Sequence, residues 1–356
     1  MNAVSSSPGT TPASVVKLKR AWFIACASPV LGARPLPFKL QGTPLVLFRA
    51  GDGKPAALLD RCPHRNVPLS LGKVCDGQLE CAYHGWRFDG SGACRKVPGL
   101  VSDGEPSLRS RAAEAYPCLE RDGFVWIWAD PSAAPDTEPF AFPHLGDKGY
   151  SSVKRSFRVN ATLHAVAENA LDVPHTAFLH GGLFRTAEKK NEIEVVVRRH
   201  ETFAEAEYLG EPAPKGMVGK LLAPGGGVVK HFDRFLLPSV TQVEYQLGES
   251  SHLFSTAVLT PVSDFETDVH AVVTYKLPVP GWLVRPFLQP VALRIFGQDQ
   301  KILKRQTEVI RDFGGERYTS TELDVLGHEI WRLLKQAAGL EKPTAEVQEH
   351  RVKMRT

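Results

Sequence analysis

The sequence predicts an α+β fold, with an all-β unit at the N-terminus and a second unit in which a long antiparallel sheet is flanked by helices. Three observations carry that reading. From about Trp22 to Asp130, short apolar runs alternate with turn residues. A helical stretch opens near Asn160, and strand-like runs then recur from about 193 to 278. Helical periodicity returns only towards the end, an order that separates strands from helices rather than alternating them. At 356 residues the chain also exceeds one average domain.

In chain order, residues 1–14 are Ser, Thr, Pro, Ala and Gly with almost no large apolar groups, and read as a disordered tail. Lys17–Arg20 followed by apolar Ala21–Ala27 imitates an export signal, but it starts late, is short and runs straight into patterned sequence. The first unit, 15–130, contains the strands Pro44–Phe48, Ala56–Asp60 and Phe124–Trp128. Hairpins are marked by Gly-Asp-Gly at 51–53 and Asp-Gly-Ser-Gly at 89–92. Residues 131–150 read as a linker. The second unit, 151–356, opens with a strand near Ser152–Val159 and the helix near Asn160. Its strands include Ile193–Arg198, His231–Leu237, Thr241–Leu247, Leu253–Thr260 and Val269–Leu277, and helices at Val291–Arg311 and Thr321–Ala338 close the chain.

Composition narrows the function. A net charge of +4 without a dense Lys/Arg run argues against nucleic-acid binding. The 43% apolar and 23% charged fractions are those of a globular protein with a large core. No apolar run approaches the roughly twenty residues that span a bilayer, so a cytoplasmic protein is expected. Six cysteines (26, 62, 75, 81, 94 and 118) then read as reduced thiols or metal ligands rather than disulfides.

Two of these cysteines, 62 and 81, matter most, each with a histidine close by. Cys62-Pro-His64-Arg and Cys81-Ala-Tyr-His84-Gly-Trp each pair a thiolate with an imidazole, so two short loops can meet around a metal centre. With two Cys on one iron and two His on the other, a [2Fe–2S] cluster has its potential raised to between about −150 and +300 mV. A structural zinc site is the alternative, although zinc knuckles more often pair like residues within each loop. Cys75 and Cys94 flank the site without ligand spacing.

This constellation resembles the Rieske domain of the ring-hydroxylating and demethylating oxygenases, and the likeness extends through Trp22, residues 42–49, Trp126 and Trp128. Respiratory Rieske proteins carry a further cysteine in each loop; here Val67, Pro68, Ala82 and Tyr83 stand in those loops. The resemblance implies an oxygenase α component working without a β subunit. It also implies a catalytic domain of helix-grip, START-like form with a curved sheet.

The remaining sequence contains Glu168-Asn-Ala-Leu-Asp172-Val-Pro-His175-Thr-Ala-Phe-Leu-His180. On a helix His164, Glu168, Asp172 and His175 share one stripe, and ionisable groups in apolar text are costly unless they face solvent or do chemistry. His180 would stand about 140° from His175 on a regular helix. Pro174 and Gly181-Gly182 imply a distortion that lets both rings converge. Two imidazoles plus a carboxylate, with open positions opposite, make the facial triad of non-haem Fe(II) oxygenases. Asp299 shares a helical stripe with Ile295 and Ile302 and is the expected third ligand, with Asp233 and Glu308 as alternatives.

The resemblance supports His175, His180 and Asp299 as the mononuclear iron ligands, with Gln298 standing where many relatives have Glu. It further implies a homotrimer in which Asp172 hydrogen-bonds His175 of its own site and His84 of a neighbour, carrying electrons between them. Lacking a Gly-x-Gly-x-x-Gly unit, the chain would depend on a separate NAD(P)H-dependent reductase or ferredoxin. It would use O2 to hydroxylate or oxidatively demethylate a hydrophobic aromatic or polycyclic, sterol-like small molecule. The sheet between about 193 and 278, with Trp282, Phe287 and Leu288, is the expected pocket wall. A cis-dihydroxylating dioxygenase and a pure electron carrier are the rival readings.

Overall fold

The structure, a computed structural model, describes residues 13–100, 111–180, 191–212, 229–248, 251–278, 281–343 and 347–355. Most of the expected tail at 1–14, the glycine pair 181–182 and the side chains of Trp282, Phe287 and Leu288 lie outside the described residues. The chain forms two compact units, one of residues 17–141 and one of the residues up to Val16 together with those from Phe142 onward.

Among the described residues, the first unit contains three small antiparallel sheets. β1 (Trp22–Ala27), β2 (Leu36–Leu40), β3 (Thr43–Arg49), β4 (Pro55–Leu59), β5 (Lys73–Cys75), β6 (Gln78–Glu80), β7 (Arg87–Phe88) and β8 (Cys94–Lys96) come first. β9 (Ala115–Tyr116), β10 (Cys118–Arg121) and β11 (Phe124–Trp128) complete it. The sheet orders are β1-β11-β10, β2-β3-β4-β9 and β5-β6-β7-β8. The run that imitated an export signal is β1, paired with the wholly buried β11, and Trp22 packs on Trp128 at 5.6 Å between ring centroids. Both glycine-marked hairpins are present, joining β3 to β4 and β7 to β8. Val46, Phe48, Leu58, Leu69, Leu79 and Phe88 form the core against which Cys62 and Cys81 are buried.

In the second unit β12 (Ser151–Val159) leads to α1 (Leu163–Leu171) and the one-turn α2 (Thr176–Leu179). β13 (Glu192–Arg199), β14 (Phe203–Leu209), β15 (Val229–Leu236), β16 (Val240–Leu247), β17 (Ser251–Ser263) and β18 (Glu266–Lys276) follow. α3 (Gly281–Asp312), α4 (Gly327–Ala337) and β19 (Gln348–Arg355) end the chain. The strands make one antiparallel sheet of eight, ordered β12-β18-β17-β16-β15-β14-β13-β19. Val153, Ala271 and Val273 line one small cavity with Ala292 and Phe296 of α3, and Phe157 packs on Phe296 at 4.9 Å, which places α3 on that face of the sheet. By register, Phe235, Asp233 and His231 of β15 share the same face.

Three expectations need correction. The helices do not close the chain: β19 follows them and pairs with β13. Its sequence, Gln-Glu-His-Arg-Val-Lys-Met-Arg, is polar because an edge strand buries little, here only Met354. α3 begins at Gly281, ten residues before the expected start, and runs through Pro286 and Pro290. Each proline removes one backbone donor, and two lost bonds near one end of a 32-residue helix leave most of the ladder intact. The stripe His164–Glu168–Asp172–His175 is not continuous. α1 starts after Thr162, whose hydroxyl accepts from the Ala165 N–H at 3.1 Å, and stops at Leu171. Asp172 is already extended (φ −87°, ψ 103°), consistent with the bias against helix just before a proline such as Pro174.

Candidate metal centres

The first site lies at the tips of two loops with the same backbone construction. In one, the Cys62 N–H donates to Val67 O (2.9 Å) and the Asn66 N–H to Cys62 O (2.8 Å). In the other, the Cys81 N–H donates to Trp86 O (2.8 Å) and the Gly85 N–H to Cys81 O (3.0 Å). Each loop turns through a left-handed residue four positions after its cysteine, Asn66 at φ 61° and Gly85 at φ 68°. The side-chain spacing, Cys-x-His against Cys-x-x-His, hides this likeness in the sequence.

These loops put cysteine beside cysteine and histidine beside histidine. Burial, with the Cys81 thiol alongside, pushes the Cys62 thiol up to about 11, while backbone N–H groups of His64 and Arg65 aimed at its sulfur pull the other way. A buried thiol pair, with N–H donors aimed at the Cys62 sulfur, suits a centre that binds both as thiolates. The His64 and His84 rings lie 4.6 Å apart, with His64 stacked on Trp86 at 4.7 Å and Tyr83 against His84 at 3.9 Å. One tetrahedral zinc would hold its ligand atoms about 3.3–3.8 Å apart. No three of these four ligand atoms lie within 4.8 Å of one another. A two-iron cluster with a cysteine end and a histidine end is free of that requirement. All six cysteines are free of disulfides.

At the second site the break after α1 lets His175 and His180 stand at the two ends of α2, their ring centroids 5.2 Å apart and their planes 74° apart. α3 brings Asp299 to them. Asp299 Oδ1 is 3.1 Å from His180 Nε2 and 3.6 Å from His175 Nε2, and it is buried without a hydrogen bond. Two ligands about 2.1 Å from one ion and at right angles are about 3.0 Å apart, so these distances fit a shared metal. Among the described residues this is the one such convergence of His, Cys, Asp and Glu.

The other ring nitrogens are also engaged. His180, 2% exposed, has Nδ1 3.0 Å from Gln298 Oε1. An amide oxygen only accepts, so Nδ1 carries the proton and Nε2 presents its lone pair. The lone pairs of His180 Nε2 and Asp299 Oδ1 therefore face each other, an arrangement that calls for a cation between them. His175 Nδ1 is 3.3 Å from Asp172 Oδ2, within contact distance but not aligned as a hydrogen bond. Burial opposes charge on His175, but Asp172 and Asp299 outweigh it and push the ring up to about 9.

Asp299 does lie on a buried stripe, but with Leu303, Thr307 and Ile310; Ile302 is exposed. The alternatives to Asp299 are occupied elsewhere: Asp233 pairs with His231, and Glu308 with Arg305 on α3. His164 is not at the site, its Nε2 lying 3.2 Å from Gly327 O at the start of α4. Glu168 is beside the same glycine, and burial raises its carboxyl.

Two features escaped sequence reasoning. Gln298 stood out only as a departure from the Glu of many relatives, and its contact with His180 was not foreseen. His231 is sandwiched between Tyr208 (4.3 Å) and Tyr245 (4.0 Å), with Nδ1 2.7 Å from Glu211 and Nε2 3.0 Å from Asp233. Strand alternation places His231 and Asp233 on one face but does not identify Glu211, which follows β14.

Comparison with known proteins adds to this geometry. A Rieske [2Fe-2S] domain model matches residues 21–116, and a vanillate O-demethylase oxygenase C-terminal domain model matches residues 159–339. The chain is 37% identical over 185 residues to the oxygenase component of dicamba O-demethylase from Stenotrophomonas maltophilia, spanning 51% of this chain and 53% of that protein. It is 40% identical over 169 residues to chlorophyllide a oxygenase from Chlamydomonas reinhardtii, covering 47% of this chain and 25% of that one. The chain thus spans about half or less of these curated relatives. The crystal structure of dicamba monooxygenase bound to dicamba superimposes with a TM-score of 0.75 at 25% identity, covering 92% of this chain and 99% of that one. A structure of dicamba monooxygenase with non-heme iron and dicamba shares the fold at a TM-score of 0.71. Among the described residues no helix is long and apolar enough to cross a membrane.

Proposed function

Because the chain belongs to the Rieske oxygenases whose second half is a vanillate O-demethylase oxygenase C-terminal domain, we propose that it is the terminal oxygenase of a monooxygenase system. Its substrate is a hydrophobic aromatic or polycyclic small molecule, which it hydroxylates or oxidatively demethylates. The observation that carries this reading is the convergence of His175, His180 and Asp299 in the unit that follows the cysteine–histidine loops. An electron carrier needs only the loops.

When bound, the cluster at Cys62, His64, Cys81 and His84 supplies single electrons, and iron at the triad supplies oxygen activation. The balance is substrate C–H plus O2, two electrons and two protons giving C–OH and water; on a methoxy carbon the product collapses to a hydroxyl and formaldehyde. The electrons come from NAD(P)H through a separate reductase or ferredoxin. Trp86 and Tyr83 hold the two loop imidazoles in place by ring contact. Asp172 is assigned as the bridge to His84 of a neighbouring copy in a homotrimer. Both groups have free surface for it: His84 is exposed, and the Asp172 side chain is 31% exposed while only loosely held by His175.

The test combines metal analysis with product analysis. Purified protein should hold three irons per chain and show Rieske visible absorption. With a surrogate reductase, 18O2 and a panel of aromatic methyl ethers and polycycles, one labelled oxygen should enter the product or the released formaldehyde. Zinc in place of iron would overturn the reading. Two labelled hydroxyls on one ring would replace it with cis-dihydroxylation.

A further inference from the structure

Two consecutive side chains of α3 hold one imidazole from its two sides. Gln298 Oε1 is 3.0 Å from His180 Nδ1, and Asp299 Oδ1 is 3.1 Å from His180 Nε2. His180 is almost fully buried, so water does not compete for either nitrogen. We infer that Gln298 is a positioning residue, fixing the ring tautomer and charge with which His180 meets a divalent metal. This rests on the metal reading of the triad proposed above.

The other imidazole makes the argument sharper. His175 has the carboxylate of Asp172 behind it at 3.3 Å and unaligned, whereas His180 has a neutral amide behind it in a made hydrogen bond. The two rings are therefore backed differently. A carboxylate acceptor draws the imidazole proton more strongly and makes the opposite nitrogen a stronger donor, since charge-assisted bonds are roughly twice as strong as neutral ones. The amide orients His180 without adding a second negative charge beside Asp299. Orientation and charge are thus separable: Gln298→Leu removes both acceptor and orientation, while Gln298→Glu keeps the acceptor and changes the charge.

The experiment is anaerobic Fe(II) titration of metal-depleted protein, with the Fe(III)/Fe(II) potential of the mononuclear site as a second readout. Rieske absorption of each variant serves as a control that the first unit is loaded. Gln298→Leu should weaken Fe(II) binding about 10- to 100-fold, the usual cost of losing such a partner. Gln298→Glu should bind Fe(II) at least as tightly and favour Fe(III) by about tenfold, a fall in potential of about 59 mV for one electron. Wild-type protein that binds no Fe(II) at the triad would sink both this inference and the proposed function. Wild-type binding with Gln298→Leu within twofold of it would overturn the inference alone. Should Gln298→Leu not fold, an unchanged potential in Gln298→Glu overturns it equally.

Discussion

The two candidate metal centres are built by opposite strategies. All four cysteine and histidine residues of the first lie within residues 62–84, on two loops closed by matching backbone hydrogen bonds. The second takes two histidines from the ends of one helical turn and a carboxylate from α3, more than a hundred residues later. One site is held by local backbone; the other exists only when a long helix packs correctly. Loss at the first should therefore stay local, whereas the second should be sensitive to whatever stabilises its unit.

The largest effects test that independence directly. Cys81→Ser should abolish Rieske absorption and reductase-driven turnover while leaving Fe(II) affinity at the triad within about twofold. Asp299→Ala should do the reverse, keeping the cluster spectrum and lowering Fe(II) affinity at least about 100-fold, because the triad loses its one carboxylate. Loss of both centres in either variant, measured by metal analysis and absorption, would break the contrast.

What could be read in advance follows the same division. The cysteine–histidine constellation of the first site was legible because it is written as short spacing, Cys-x-His and Cys-x-x-His. His175 and His180 were legible as a motif, but the stripe drawn through His164, Glu168 and Asp172 assumed a helix that stops at Leu171. Asp299 was found on the wrong neighbours, since an Ile302-centred stripe and a Leu303-centred one differ by a single helical step and only packing chooses between them. Gln298 and Glu211 were invisible as partners, because contacts across 118 and 20 residues are set by tertiary structure. β19 was missed because its edge position leaves almost no hydrophobic period.

The second unit also holds a buried histidine that meets two carboxylates without converging on a metal point, and it sharpens the comparison through stability. His231 uses both ring nitrogens against Glu211 and Asp233 between the rings of Tyr208 and Tyr245, so it must carry both protons to satisfy them. Burial opposes that charge, but Asp233 and Glu211 outweigh it and push the ring up to about 9. An unfolded histidine titrates near 6.5, so the folded pKa is raised and the contribution is complete below about 6.5. It is lost as pH rises through about 9, and it amounts to on the order of 3 kcal/mol. Denaturant unfolding followed on the second unit should weaken across that window. His231→Gln should flatten the dependence and cost about 3–5 kcal/mol at pH 7, since two buried carboxylates lose their cation. A wild-type profile unchanged between pH 6.5 and 9.5 would rule out a charged His231.

The smallest effects probe whether the two cluster loops are as alike as their backbones. Gly85 at φ 68° has Pro98 Cγ 3.0 Å from where a Cβ would stand, so Gly85→Ala adds a close contact to a left-handed penalty of about 1–2 kcal/mol. Asn66 at φ 61° already carries a side chain, one whose oxygen accepts from Arg61 Nε at 2.7 Å. If backbone conformation is its main duty, Asn66→Gly should change stability by only a few tenths of a kcal/mol and Asn66→Ala should cost about 1 kcal/mol. The midpoint for thermal loss of cluster absorption should then fall in the order Asn66→Gly, Asn66→Ala, Gly85→Ala. Equal damage from Asn66→Gly and Asn66→Ala would assign Asn66 to its Arg61 contact instead. The two loops would then share a backbone path held by different means, one by glycine freedom and the other by a side-chain tie.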